Sequence, residues 1–233
     1  MIPSPNVIDM YNGDGRAAVP DMVSLRQNGI FAIVHRVSQG LMLDPLYTAR
    51  KQAALDAGLL FGGYHQLTAL NATTQAARFL DLAEADANSF LTVVFEKSSS
   101  TPTLHQCMEF MQSVDDDTSG NVMCAMYSGT LIRQTLKPNV GGFQSNAMAG
   151  CEMFFAQHRL WLAEMGPTKN VPWPWSDKDL SLIWSNPFLW RFTPPGRINP
   201  VVGTRDLSYY PGDFDTLRAN WPNLVSATVN PAI

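Results

Sequence analysis

The chain has 233 residues, of which 45% are hydrophobic and 15% charged, and its 16 Lys+Arg against 20 Asp+Glu leave a formal net charge of −4. That balance supports a sizeable core in one large domain or two small ones, and it excludes wholesale disorder and a coiled coil. Mild acidity without any cluster of Lys and Arg argues against a nucleic-acid or anionic-membrane partner, and no apolar run approaches the ~18 residues of a membrane span.

Residues 7–11 read as a short buried strand ending in the turn Asn12-Gly13-Asp14-Gly15. Residues 20–28 place apolar Met22, Val23 and Leu25 among polar neighbours, a helical pattern that Asn28-Gly29 stops. A strand over 30–34, a helix over 47–57 closing at Gly58, a third strand over 59–65 and an Ala-rich helix over 73–86 continue the alternation. The fourth strand covers 91–96 with a helix over 104–114 behind it, and a fifth strand over 121–127 leads to a helix over 129–136. Between these, Asp115-Asp116-Asp117 reads as a solvated turn. After Pro138 the regularity fades, and 158–163, 189–192 and 204–207 supply three more short strands joined by loops rich in Pro and Trp.

Such alternation means parallel pairing with helices outside the sheet. Eight mainly parallel strands with an incomplete set of helices, and no glycine-rich phosphate loop, fit an irregular β/α barrel better than an open doubly wound sheet. No linker or internal repeat interrupts 1–233, so a single barrel domain is expected.

In a parallel barrel the strand C-termini share one rim, so polar residues that end apolar strands converge there. Asp9, Glu96 and Asp206 each end or nearly end a predicted strand. Carboxyls gathered in a low-dielectric mouth drive their proton affinities apart, giving one protonated acid beside ionised neighbours, which is the equipment of glycoside hydrolysis. For any one of them the alternative is a helix cap or a pair with Arg36, Arg191 or Arg205. Trp161, Trp173, Trp175, Trp184 and Trp190 crowd one stretch of sequence; their rings suit either sugar stacking or the packing of a helix-poor half. Trp190, on a predicted strand, is the best candidate for ligand contact, followed by the loop over 171–175. His35 and His65 read as core or rim histidines, and Ser98-Ser99-Ser100 as a loop and helix cap. Cys107, Cys124 and Cys151 are spaced for neither a disulfide framework nor a zinc site and read as buried thiols. No metal and no cofactor are expected.

The order of several segments resembles the glycoside hydrolase family 25 muramidases, the Chalaropsis-type lysozymes. Ile8-Asp9-Met10-Tyr11 is similar to the family's opening I-D-x-S strand, and 31–40 to F-x-I-x-[KR]-x-[ST]-x-G, with Arg36 at the basic position. Segments 44–47 and 54–59, Gly62-Gly63-Tyr64-His65, Tyr127-Ser128, 160–163, 190–193 and 206–210 follow in the family's order. The resemblance implies a flattened barrel that cuts the β-1,4 bond between N-acetylmuramic acid and N-acetylglucosamine in peptidoglycan glycan strands. It also implies that Glu96 is the general acid of the D-x-E signature; in a working muramidase Asp206 or Asp9 then supplies the negative charge or positions a water, and Tyr11, Arg36, Tyr64, Tyr127 and Trp190 are expected along the substrate groove. The family's signature aspartate is replaced by Val94, Gln39 stands where an acidic residue is common, and Arg191 where a glutamine is common. A working muramidase and a weakened, glycan-binding relative are therefore both open. The start of the chain lacks the basic and apolar regions of a Sec-type signal. Action on the cell wall then points to a phage lysin, a virion-associated lysozyme or an effector carried by a non-Sec secretion machine.

Overall fold

The computed structural model describes residues 6–14, 19–86, 88–119, 122–136, 146–164, 180–196 and 205–222. Eight strands close a barrel: β1 (Val7–Met10), β2 (Ala32–Gln39), β4 (Leu60–Gln66), β5 (Phe90–Val94), β6 (Ala125–Ser128), β7 (Leu160–Ala163), β8 (Leu189–Gly196) and β9 (Arg205–Tyr209). A two-residue strand, β3 (Met42–Leu43), folds back on the end of β2 as an edge hairpin. From β1·β2 round to β7·β8 the pairs are parallel, while β9 runs antiparallel to both β8 and β1 and shuts the ring.

The helices are α1 (Met22–Gln27), α2 (Tyr47–Asp56), α3 (Ala72–Ala83), α4 (Leu104–Asp117), α5 (Thr130–Thr135), α6 (Asn146–Ala156) and α7 (Phe214–Asn220). Their starts are written in the sequence. Asn71 accepts from the Thr74 backbone N–H at the head of α3, and Thr103 with Gln106 forms a reciprocal capping box on α4.

Strand alternation divides the core into two layers. Outward-facing Ile33, Leu91, Val93, Met126 and Leu160 meet Phe79, Phe110 and Met111 of the helices. Inward-facing Val7, Ala32, Val34, Phe90, Ala125 and Leu189 fill the barrel, whose floor is closed by Leu217 of α7 and by Trp221. The Trp221 ring stacks on Phe90 at 4.7 Å and its indole N–H donates to the Phe61 carbonyl at 3.0 Å. Glycine is needed at position 62, where a Cβ would lie 2.8 Å from the Phe90 carbonyl oxygen of the next strand.

The expected irregular barrel of about eight mainly parallel strands is therefore the fold observed, with corrections in detail. The last strand starts near Asp206 instead of ending there, because β9 is antiparallel. Helices α6 and α7 stand beyond Pro138, where the sequence pattern loses its regularity. The acidic run belongs to the last turn of α4, and Asp115 is no solvated turn residue: it accepts from the Cys124 backbone N–H and from His158 Nε2, both at 2.8 Å. His35 and His65 are core residues, buried against Arg50 and against Ser38, Gln75 and Phe110 respectively. Cys107 and Cys124 are buried and Cys151 half-buried, and none of the three is in a disulfide.

Candidate active site

At the strand C-terminal end the barrel opens into a cavity of about 190 Å³. Asp9 is the inward residue near the end of β1, two positions after Val7 of the inner layer, and it lies directly opposite Asp206 in the antiparallel β1·β9 register. Glu96 stands two residues past the end of β5 and continues the inward face that carries Thr92 and Val94. All three carboxyls line the same cavity.

The walls come from the neighbouring strands. Tyr64 and Gln66 project from β4, Tyr127 from β6, Trp161 from β7 and Arg191 from β8, while Tyr11 and Arg36 form one lip. Arg36 is fixed there: it pairs with the buried Asp44 at 3.1 Å, and its guanidinium lies 4.7 Å from the centre of the half-exposed Tyr11 ring. The Tyr127 ring meets Trp161 edge-on at 4.8 Å, and the Trp161 indole N–H donates to Ser208 Oγ at 3.0 Å. These contacts leave the aromatic wall few alternative rotamers.

Trp190 does not line the cavity. Successive residues of a strand face opposite sides, so with Leu189 and Arg191 turned inward Trp190 packs in the outer layer, 4% exposed, with its indole N–H toward the Glu164 carbonyl at 3.4 Å. The aromatic that β7 and β8 deliver to the cavity is Trp161 instead. The loop over 171–175 lies outside the described residues. Gln66, Trp161 and Arg191 were missed as wall residues. The signal for each was alternation, since each sits at an inward step of its strand.

Burial dominates the electrostatics. It pushes the Asp9 carboxyl up to about 8, with the nearby Asp206 and Asp14 carboxyls adding to the rise and Arg191 opposing it. Asp9 is therefore protonated at neutral pH. Glu96 is raised too, by burial first; Arg191 opposes this, Asp206 reinforces it, and a hydrogen bond with the Tyr127 hydroxyl opposes it. Arg191 ion-pairs with Asp206 and donates to the Tyr127 hydroxyl. Burial works against its charge, but the carboxyls of Asp9 and Asp206 and the Tyr127 hydroxyl outweigh burial and hold the guanidinium's pKa above its ordinary value. One oxygen each of Asp9 and Asp206, and Arg191 Nε, are buried without a hydrogen-bond partner. Unsatisfied polar atoms of this kind are costly in a core and common where a ligand is meant to enter. Among the described residues no group of three or more His, Cys, Asp or Glu side chains is placed to hold a metal ion, and no helix is long and apolar enough to cross a membrane. The arrangement offers a loaded carboxylic acid, an anion paired to arginine and aromatic walls in one cavity.

Glycosyl hydrolases family 25 matches residues 8–201 of the chain. The uncharacterized protein YegX of Escherichia coli strain K12 is 23% identical over 220 residues, which are 91% of this chain and 71% of that protein. A bacterial lysozyme from Streptomyces coelicolor has the same fold with a TM-score of 0.70 at 18% identity, covering 93% of this chain and 95% of its own. A muramidase from Acremonium alcalophilum gives 0.69 at 16% identity, with 91% and 96% covered.

Proposed function

Because the chain belongs to glycosyl hydrolases family 25, we propose that it is a muramidase that cleaves the β-1,4 bond between N-acetylmuramic acid and N-acetylglucosamine in peptidoglycan. The observation that carries this reading is the meeting of Glu96 and Asp206 in one cavity with Tyr64, Tyr127 and Trp161 as its walls. Glu96 is the general acid: burial raises its proton affinity, the direction that suits a group that must give a proton to the departing sugar oxygen. Asp206 supplies the negative charge that offsets positive charge building at the reacting sugar carbon. Asp9, protonated at neutral pH, carries no charge and has a proton available for a hydrogen bond to the sugar. Tyr64, Tyr127, Trp161 and the lip of Tyr11 and Arg36 hold the sugar rings. The cell wall is accordingly the place of action.

Glu96→Gln keeps the size of the side chain and its hydrogen bonding but removes the acidic proton. Muropeptide release from purified sacculi should collapse while sedimentation with the same sacculi persists; a variant as active as the parent would overturn the assignment. One feature favours a second reading, a glycan-binding relative with little turnover. Val94 presents an apolar surface to the cavity where the resemblance expects an aspartate. Sacculus binding by the parent with no muropeptide release would select that reading.

A further inference from the structure

Three acidic side chains share this cavity, and their arrangement leaves one guanidinium to manage them. Arg36 is committed to Asp44 and to the Tyr11 ring. Arg191 is not committed outside the cavity. One of its terminal nitrogens pairs with Asp206, and the other donates to the Tyr127 hydroxyl. That hydroxyl has a single proton; accepting from Arg191, it can turn the proton only toward another acceptor, and the Glu96 carboxyl lines the same cavity two residues beyond Val94, the register partner of Tyr127. The arginine fork therefore reaches one carboxyl directly and a second through a phenol. A register shift in β8 immediately after Arg191 is the kind of irregularity that re-aims a strand side chain. The fork is braced as well, since the Tyr127 ring beneath it is held by Trp161, and Trp161 by Ser208 of β9.

We propose that Arg191 is the positioning residue that divides labour among the three carboxyls, holding Asp206 as the anion and, through Tyr127, aiming Glu96 as the proton donor. This rests on the muramidase reading for its catalytic consequence, though not for its structural content. The charged and titratable groups facing Arg191 are Asp206 on β9, Asp9 on β1, Tyr127 on β6 and Glu96 beyond β5. Arg191 lowers the proton affinity of both Glu96 and Asp9, and on each its effect exceeds the opposite effect of Asp206. Removing the arginine must therefore raise both, even if Asp206 becomes neutral in the process.

The test compares Arg191→Gln, Arg191→Lys and Tyr127→Phe with the parent, using carbon-13 carboxyl titrations of Glu96 and Asp9 together with muropeptide release across pH. In Arg191→Gln both carboxyl midpoints should rise by about half a pH unit or more. The alkaline limb of release should move the same way, and kcat should fall roughly tenfold or more with KM changed far less. Arg191→Lys restores the charge but not a planar fork, so the midpoints should return toward the parent while kcat stays low. Tyr127→Phe should raise the Glu96 midpoint and leave that of Asp9 in place. A folded Arg191→Gln with both midpoints and the alkaline limb unchanged overturns the proposal. If that variant does not fold, an unmoved Glu96 midpoint in Tyr127→Phe overturns it equally. Should the parent release no muropeptides at any pH while the midpoints shift as stated, the muramidase reading fails and the role of Arg191 in sorting the carboxyls stands.

Discussion

From β1 to β6 each parallel strand of the wall is followed by an α-helix that covers it, whereas among the described residues β7, β8 and β9 follow one another with a single 3-10 turn, Leu180–Leu182, and the chain reverses direction at β9. The helix-wrapped side contributes Asp9, Arg36, Tyr64, Glu96 and Tyr127 to the cavity; the helix-poor side contributes Trp161, Arg191 and Asp206. Two different constraints place these groups. On the wrapped side a residue reaches the rim because a parallel strand ends there. On the other side Asp206 reaches the same rim because an antiparallel strand begins there. The cavity is thus assembled from both halves, and neither half alone carries both Glu96 and Asp206.

Breaking each half at its carboxyl should give the largest effects. On the proposed muramidase reading Glu96→Gln removes the acid and Asp206→Asn the anion, and each should lower kcat for muropeptide release by roughly 10²–10⁴-fold. Their effects should be strongly non-additive, as for groups acting in one step. Full activity in Asp206→Asn would transfer the anionic role elsewhere and leave the helix-poor half a scaffold.

The two halves also differ in how much of them the sequence discloses. Hydrophobic runs punctuated by Asn-Gly and by caps such as Asn71 and Thr103 make the wrapped side readable, and polar residues closing those runs, Asp9 and Glu96, stand out. Strand direction leaves no such mark. The pattern around Leu207 is the same whether β9 is parallel or antiparallel, so Asp206 was placed on the correct rim for the wrong reason. Helix α6 is apolar on most of its faces, with Ala, Met, Gly, Cys and Phe among its residues, and shows no helical period to the eye; α7 is only seven residues long. A place on a predicted strand singles out Trp190, but Trp161 lies on a predicted strand too, and which face each occupies depends on register against β6 and β9, a tertiary property. Arg191 follows from the same parity, one step along.

Those two tryptophans provide the next test. Trp190→Ala removes a large side chain from the outer layer and should cost about 3–5 kcal/mol of stability, with KM of the folded fraction unchanged. Trp161→Ala acts in the cavity and should weaken sacculus binding. Chemical denaturation and binding measured on both variants settle the matter, and the reverse pattern would put Trp190 on the substrate after all.

Stability against pH separates the halves more gently. Folded Asp9 keeps its proton up to about pH 8, against an ordinary value of 3.8, so over that interval the folded state binds the extra proton and stability falls as pH rises. Glu96 acts in the same sense. His35 and His65, buried and neutral down to about 4 against 6.5, act in the opposite sense, so their contribution is lost as pH drops below 6.5. Above 6.5 the histidines no longer contribute a slope, and Tm should decline toward pH 8. Asp9→Asn cannot ionise and should flatten that decline. An equally steep decline in the variant would mean that Asp9 is not the group responsible.

The smallest effect is expected at Val94. Its side chain lies on the inward face of β5 between Thr92 and Glu96, opposite Gln66 on β4 and Tyr127 on β6, and although only 5% exposed it lines the cavity. A carboxylate placed there meets cavity water, unlike one placed at Val93, which is fully buried against the helices. Val94→Asp should therefore fold with a loss of about 1–3 kcal/mol, whereas Val93→Asp should not fold. A second anion beneath the reacting sugar reinforces Asp206, and as a like charge near Glu96 it raises the proton affinity of the acid. Release should equal or exceed that of the parent by less than about tenfold, with the alkaline limb moved upward. A folded Val94→Asp that releases less would show that the new carboxylate competes with Asp206 for Arg191, and that the valine belongs to the same arrangement as the arginine.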